Sequence, residues 1–245
     1  MLTPESEAIT LQAPQELNSS LAVPLQSWLR SHQMYQDLVI SAFIFAYRSR
    51  PSASAEHGAA TDISNINNRQ PYLLLIQRAE DDTFPYFWEI PGGSVEQTDP
   101  TILDAVAREV LEETGLRLTR LVEQIGEGLL MRSRRSVPFL RLAFEIEVAE
   151  IPACMHAHAS SGHREADGSD SGTDHDIPVK LNPEEHQNYE WVTEDDLING
   201  KETGKYTFVS ERLYRVLLDG FARHKARFER SCSRREAAED RKAEQ

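Results

Sequence analysis

The stretch from Trp88 to Leu116, reading WEIPGGSVEQTDPTILDAVAREVLEETGL, constrains this chain more than any other. Pro91-Gly92-Gly93 closes a strand with a tight turn, because glycine alone adopts positive φ without a steric penalty. Asp99 followed by Pro100 predicts a helix start, a carboxylate N-cap and then proline at the first helical position. From Thr101 to Thr114 apolar residues recur at helical spacing through Leu103, Val106, Val110 and Leu111. Gly115 then stops the helix, with Leu116 available for a hydrophobic capping contact. The segment therefore reads as strand, glycine loop and capped helix.

Glu109, Glu112 and Glu113 stand at i, i+3 and i+4 of that helix. At about 100° per residue they share one arc beside the apolar stripe. Carboxylates so crowded repel one another unless a hard cation binds them, and Mg²⁺ prefers oxygen ligands and shares its shell with substrate phosphates. Arg108 reaches Glu112 across one turn and can fix its orientation. A solvated acidic helix face carries the same E-x-x-E-E pattern, so the cluster alone does not decide between the two readings.

With the glycine loop, the arginine and the terminal glycine added, the segment resembles the Nudix box, G-x5-E-x7-R-E-U-x-E-E-x-G-U, where U is a bulky aliphatic residue. Gly93 matches its first glycine, and Arg108 through Leu116 match its second half throughout. Asp99 stands where the pattern has glutamate, one residue further from Arg108 than the pattern prescribes.

The resemblance implies an α/β fold, an α/β/α sandwich with a mixed β-sheet between helices. It also implies a pyrophosphatase-type reaction, metal-dependent hydrolysis of a phosphoanhydride bond in a nucleoside diphosphate linked to another moiety. Metal ligands would be Glu109, Glu112 and Glu113. Glu112 and Arg108 are the catalytic candidates, and Gly92, Gly93, Asp99 and Gly115 support the loop and the box. Mg²⁺ is the implied cofactor, with Mn²⁺ as a substitute, lowering the pKa of the attacking water and neutralising the diphosphate. The general base falls among Glu112, Glu184, Glu185 and Glu190. A homodimer is compatible with the resemblance. The alternative is a Nudix-fold ligand-sensing or protein-interaction module with reduced turnover; the lengthened box favours it, and retention of all three glutamates opposes it.

The remaining sequence frames this segment. With 245 residues, 40% of them hydrophobic, the chain can build one sizeable core. A net charge of −14 disfavours nonspecific binding to nucleic acid or anionic membrane, while a bound cation would still permit a phosphate ligand. Cys154 and Cys232 make neither a disulfide framework nor a zinc site. No secretory leader is expected, and Leu38 to Tyr47, the most apolar run, is too short to span a bilayer, so a reducing, cytoplasmic setting is expected.

Strand patterns recur at Leu38–Tyr47, Tyr72–Gln77, Leu121–Met131, Phe139–Val148 and Tyr189–Val192, and in the fourth Leu140, Leu142, Phe144, Ile146 and Val148 share one face. A C-terminal helix from Thr207 aligns Val209, Leu213, Val216, Leu217 and Phe221, and its basic residues Arg223, Lys225, Arg227 and Arg230 would complement the helix dipole. A short helix is expected at Leu21–Ser31. The organisation is an N-terminal extension (1–35), one domain (36–228) and a polar tail (229–245). Core packing is the expectation for Phe87 and Trp88, and a hairpin turn for Arg132, Arg134 and Arg135.

Two polar insertions, at 49–70 and 153–178, lack the apolar residues to offset the entropy of ordering; the second carries His156, His158, His163 and His175, which read as polar linker. Replacing Ser52–Asn68 or Met155–Asp176 by a short Gly-Ser linker is expected to leave soluble protein that unfolds cooperatively, since closure entropy changes slowly with loop length. Thermal melts of both variants test this; loss of the cooperative transition would reveal a structural element within the insertion.

Overall fold

The computed structural model describes residues 11–49, 69–151 and 177–243. Six strands form one mixed sheet: β1 (Asp37–Ser49), β2 (Arg69–Arg78), β3 (Trp88–Glu89), β4 (Leu118–Arg132), β5 (Pro138–Val148) and β6 (His186–Val192). The path runs β3-β2-β1-β5-β4, and β6 also pairs with β2. β1 lies parallel to β5, Asp37 opposite Phe139 and Ile44 opposite Ile146; the other strand pairings are antiparallel. Ser49 pairs with Arg69, so the first insertion joins the antiparallel pair β1 and β2.

Helices cover both faces because the central strands are apolar on both. Along β5, Leu140, Leu142, Phe144, Ile146 and Val148 enter the core shared with α1 (Gln15–Leu21), α2 (Leu25–Ser31) and α3 (Ile102–Thr114). Ala143, between them, enters the second core, with Phe43, Phe45, Leu73, Leu75 and Trp88 under α4 (Glu194–Glu202) and α5 (Glu211–Ala243). This is the expected α/β/α sandwich, and burial of Trp88 bears out its packing role.

Several elements differ from the sequence expectation. The single N-terminal helix is two, because Pro24 takes an extended conformation and caps α2. Leu21, Leu25 and Trp28 are buried in the α3-side core, and Val23 O accepts the backbone N–H of Ile102, so this segment helps position α3. α4 was not anticipated; Thr193 and Asp196 form its capping box. α5 continues to Ala243, through the stretch read as a polar tail, since nothing after Gly220 breaks a helix rich in Ala, Glu, Lys and Arg. Its basic residues therefore stand within the helix rather than at its negative end, and they pair instead: Arg223 with Asp219, Lys225 with Glu194, and Arg227 with Glu123 and Glu145. Nearly all of both insertions lies outside the described residues. Among the described residues no helix is long and apolar enough to cross a membrane.

Glu145 joins β5 to α5. Its buried carboxylate meets His224 Nδ1 at 2.8 Å and the guanidinium of Arg227, while the His224 ring stacks on Phe45. Burial alone would push the Glu145 pKa up, but His224 and Arg227 more than offset it, so the carboxyl titrates below its ordinary 4.5. A carboxyl depressed in the folded state contributes stability above the unfolded value and loses it as pH falls through the folded one. Glu145→Gln should therefore lose about 3 kcal/mol at pH 7, since it strands a buried cation. The gap to the parent should narrow below about pH 4.5, as measured by urea unfolding across that range.

Candidate active site

Two glycines bring the loop after β3 onto α3. At Gly92, φ is +144° and a Cβ would lie 2.2 Å from Ile40 O, a backbone atom. Only glycine fits there, and its N–H donates to Glu113 Oε2 at 2.6 Å. A Cβ on Gly93 would stand 2.6 Å from the carboxylate of Glu109. The loop is fastened to β1 where Ile40 and Ala42 donate their N–H groups to Gly93 O and Pro91 O, at 2.9 and 2.7 Å. The sheet thus holds the glycine loop against the acidic side of α3.

The start of α3 departs from expectation. Thr101 is the N-cap, its side chain accepting from Asp104 N, and Asp99 does not cap the helix. The buried Asp99 carboxylate turns instead to Arg108, taking Nε at 2.8 Å and Nη2 at 2.9 Å, and also accepts Glu96 N. A bidentate, charge-assisted pair is stronger than a cap, and it pulls the Asp99 pKa down. Arg108 is the hub of this cluster: Nη1 lies 3.0 Å from both Glu109 Oε1 and Glu112 Oε2, and Nη2 donates to Ser94 O. At the other end Gly115 takes the left-handed conformation and donates to Leu111 O, as its position predicts. Leu111 itself is half exposed, because Glu109 and Glu113 turn inward.

Glu113 is buried, and burial pushes its pKa well above the ordinary value; the carboxylates of Glu89, Glu109 and Glu185 add to this, and the Gly92 N–H opposes it. Burial likewise raises Glu109, against the pull of Arg108. Glu113, Glu185 and His186 each offer a ligand atom within 4.8 Å of one another. His186 is buried, and neither ring nitrogen has a hydrogen-bond partner. Its Nε2 stands 3.6 Å from Glu89 Oε1 and 3.9 Å from Glu113 Oε1. At Glu89, burial raises the pKa but His186, Arg78 and Arg141 bring it net below the ordinary value.

Of the base candidates, only Glu185 joins Glu112 near this cluster. Glu184 is exposed, and Glu190 is held by Lys205 Nζ and Tyr206 Oη at 2.6 and 2.5 Å. Glu89 and His186 were missed. Trp88 and Ile90 enter the α5-side core, so strand alternation places Glu89 on the opposite side, a signal present in the sequence. Nothing local marks His186. Arg132, Arg134 and Arg135 lie at the β4–β5 hairpin as expected, with Arg134 over the Phe84 ring.

A profile described as NUDIX domain matches residues 56–212, and the protein belongs to that family. Over 69 residues it is 44% identical to m7GpppN-mRNA hydrolase NUDT17 of Danio rerio, covering 28% of this chain and 22% of that protein. Over 46 residues it is 52% identical to a MutT-like protein of Streptomyces ambofaciens, covering 19% and 27%. The chain thus spans about a quarter of the length of these curated relatives. Similar solved structures include the MutT protein from Methanosarcina mazei Go1, at 20% identity and TM-score 0.42 over 79% of this chain and 93% of that one. Another is the NUDIX domain of Shewanella oneidensis NrtR complexed with ADP ribose, at 16% identity and TM-score 0.44 over 78% and 88%.

The two glycines should fail differently. Gly92→Ala meets backbone, so it should unfold at lower temperature by an amount matching several kcal/mol of strain. Gly93→Ala meets only the movable end of Glu109, so it should melt near the parent while losing whatever function Glu109 carries. Differential scanning calorimetry with a divalent-cation binding isotherm distinguishes them; equal destabilisation of both would contradict this account.

Proposed function

We propose that the protein is a metal-dependent hydrolase cleaving a phosphoanhydride bond in a nucleoside diphosphate linked to another moiety. The observation carrying this reading is the state of Glu113: buried, crowded by Glu89, Glu109 and Glu185, and without a lysine or arginine ion pair among the described residues. A buried carboxylate so placed is costly unless a cation completes it. The orphaned nitrogens of His186 beside it point the same way.

Glu109, Glu112, Glu113 and Glu185 fit a hard cation such as Mg²⁺, and the imidazole makes Mn²⁺ an acceptable substitute. The bound cation would neutralise the diphosphate and activate water. The protein's own groups prepare the site. The Gly92 N–H fixes the direction of Glu113, and Arg108, anchored by Asp99, bridges Glu109 and Glu112 through Nη1. Glu112 and Glu185 are the carboxylates with solvent access, suited to accept a proton from water. Family membership supports the reaction class, and the similarity to an m7GpppN-mRNA hydrolase of Danio rerio supports a nucleotide substrate.

Glu112→Gln and Glu113→Gln should each lose orders of magnitude in turnover, since the amide keeps the shape but removes the charge that holds the cation. Without metal, Glu113→Gln should be as stable as the parent or more so, because it relieves repulsion. Mg²⁺ should raise the melting temperature of the parent by mass action, and of the variants less. The checks are steady-state hydrolysis of nucleoside diphosphate derivatives and thermal unfolding with and without Mg²⁺. Full activity in both variants would sink the proposal.

A further inference from the structure

We propose that His186 is a metal ligand through Nε2, and that the nitrogen it adds to Glu113 and Glu185 makes the site select a first-row transition ion over Mg²⁺. This deepens the hydrolase reading and rests on it for its biological meaning, but the choice of cation can be measured without turnover.

Two of the carboxylates gathered at α3 already have a cation. Glu109 Oε1 and Glu112 Oε2 each lie 3.0 Å from Nη1 of Arg108, which Asp99 fixes in turn. Glu113 has no lysine or arginine within ion-pairing distance among the described residues, and the group facing its Oε1 is an imidazole. Among the described residues, the three ligand-bearing side chains whose atoms lie within 4.8 Å of one another are Glu113, Glu185 and His186. The position that most needs a cation therefore has a mixed donor set, one nitrogen and two carboxylate oxygens.

The backbone sets the two later residues in place. Asn182 O accepts the N–H groups of Glu185 and His186, at 3.2 and 2.8 Å, which tightens the turn before β6. Ala79 N donates to Glu185 O at 2.8 Å, and His186 pairs with Arg78 where the β2–β6 register shifts. The imidazole so placed is 2% exposed, yet neither ring nitrogen has a hydrogen-bond partner. A buried polar ring left like this is costly unless something completes it.

Nε2 stands 3.9 Å from Glu113 Oε1, too far for a hydrogen bond. It matches the spacing of two ligands on one ion, since atoms each about 2.1 Å from a cation stand roughly 3 to 4 Å apart. The competing role for Nε2 is an ion pair with Glu89 Oε1, 3.6 Å away. That oxygen is already bonded to Arg78 Nη1, which leaves the imidazole without a strong claim on it. Mg²⁺ takes oxygen ligands and parts with its waters reluctantly, so a nitrogen gains it little. Transition ions accept imidazole readily, and Mn²⁺ is the weakest binder of their row, so preference for Mn²⁺ is the strictest form of the claim.

The test titrates the full chain, freed of metal by chelation, with Mn²⁺ and with Mg²⁺ in the absence of nucleotide. Electron spin echo modulation of the Mn²⁺ complex should show imidazole ¹⁴N coupling, replaced by the ¹⁵N pattern when the histidines are ¹⁵N-labelled. His186→Phe, which fills the space without a nitrogen, and His186→Gln should both lose the coupling. Their Mn²⁺ affinity should fall about tenfold or more, since losing even a hydrogen-bond partner behind a metal ligand costs that much. Their Mg²⁺ affinity should change much less. Absence of nitrogen coupling in the parent overturns the proposal whether or not the variants fold. So does coupling that persists in either variant, or an equal loss of Mn²⁺ and Mg²⁺ binding, which would make His186 merely structural. Hydrolysis by a parent without nitrogen coupling would keep the hydrolase reading and refute this one. Nitrogen-coupled Mn²⁺ on a protein that hydrolyses no diphosphate would do the reverse.

Discussion

The carboxylate of Glu113 lies buried beneath the Gly92 N–H, with three further carboxylates close enough to act on it, and the rest of the architecture follows from keeping it there. Two like charges about 4 Å apart repel by roughly 4 kcal/mol at the effective dielectric of a partly buried site. Such a cluster persists only if the scaffold holding it is stiff. The glycine loop supplies one wall, and it is stiff because β1 pairs with it on one side and with β5 on the other. Asp99 and Arg108 supply the other wall, with Glu109 and Glu112 both bonded to Nη1 of the one guanidinium.

The two faces of the sheet divide the labour. The α3 face carries the glutamates of the helix, and the α5 face carries an apolar-walled cavity that Arg141 also lines. β3 is only two residues long, yet its alternation serves both: Trp88 enters the α5-side core, while Glu89 reaches Arg78 and His186. An acidic protein can hold a phosphorylated ligand across such a boundary if the charged half rests on a cation and the neutral half on apolar walls. The overall net charge of −14 then keeps free polyanions away from the surface without barring a metal-complexed one.

Local chemistry with a fixed spacing was legible in the sequence. The helix ended at Gly115 and the β5 alternation sorted Leu140 to Val148 onto one face, because each depends on neighbours within a few residues. Asp99 was misread because a capping aspartate and an arginine-binding one look alike until the position of Arg108 is known. The inward turn of Glu109 and Glu113, which leaves Leu111 half exposed, overrode hydrophobic periodicity at a functional helix. His186 and Glu185 come to the site from β6 and from just before it, through long-range pairing that no local pattern encodes.

The most direct measurement of the central claim is hydrolysis of nucleoside diphosphate derivatives in ¹⁸O-labelled water, with and without Mg²⁺, read by mass spectrometry of the products. Water attack on a phosphorus atom at a cation-completed glutamate cluster predicts a single ¹⁸O in one phosphorylated product, only when the divalent cation is present. Label entering a product elsewhere than at phosphorus, turnover undiminished by chelator, or no turnover of any diphosphate would contradict it.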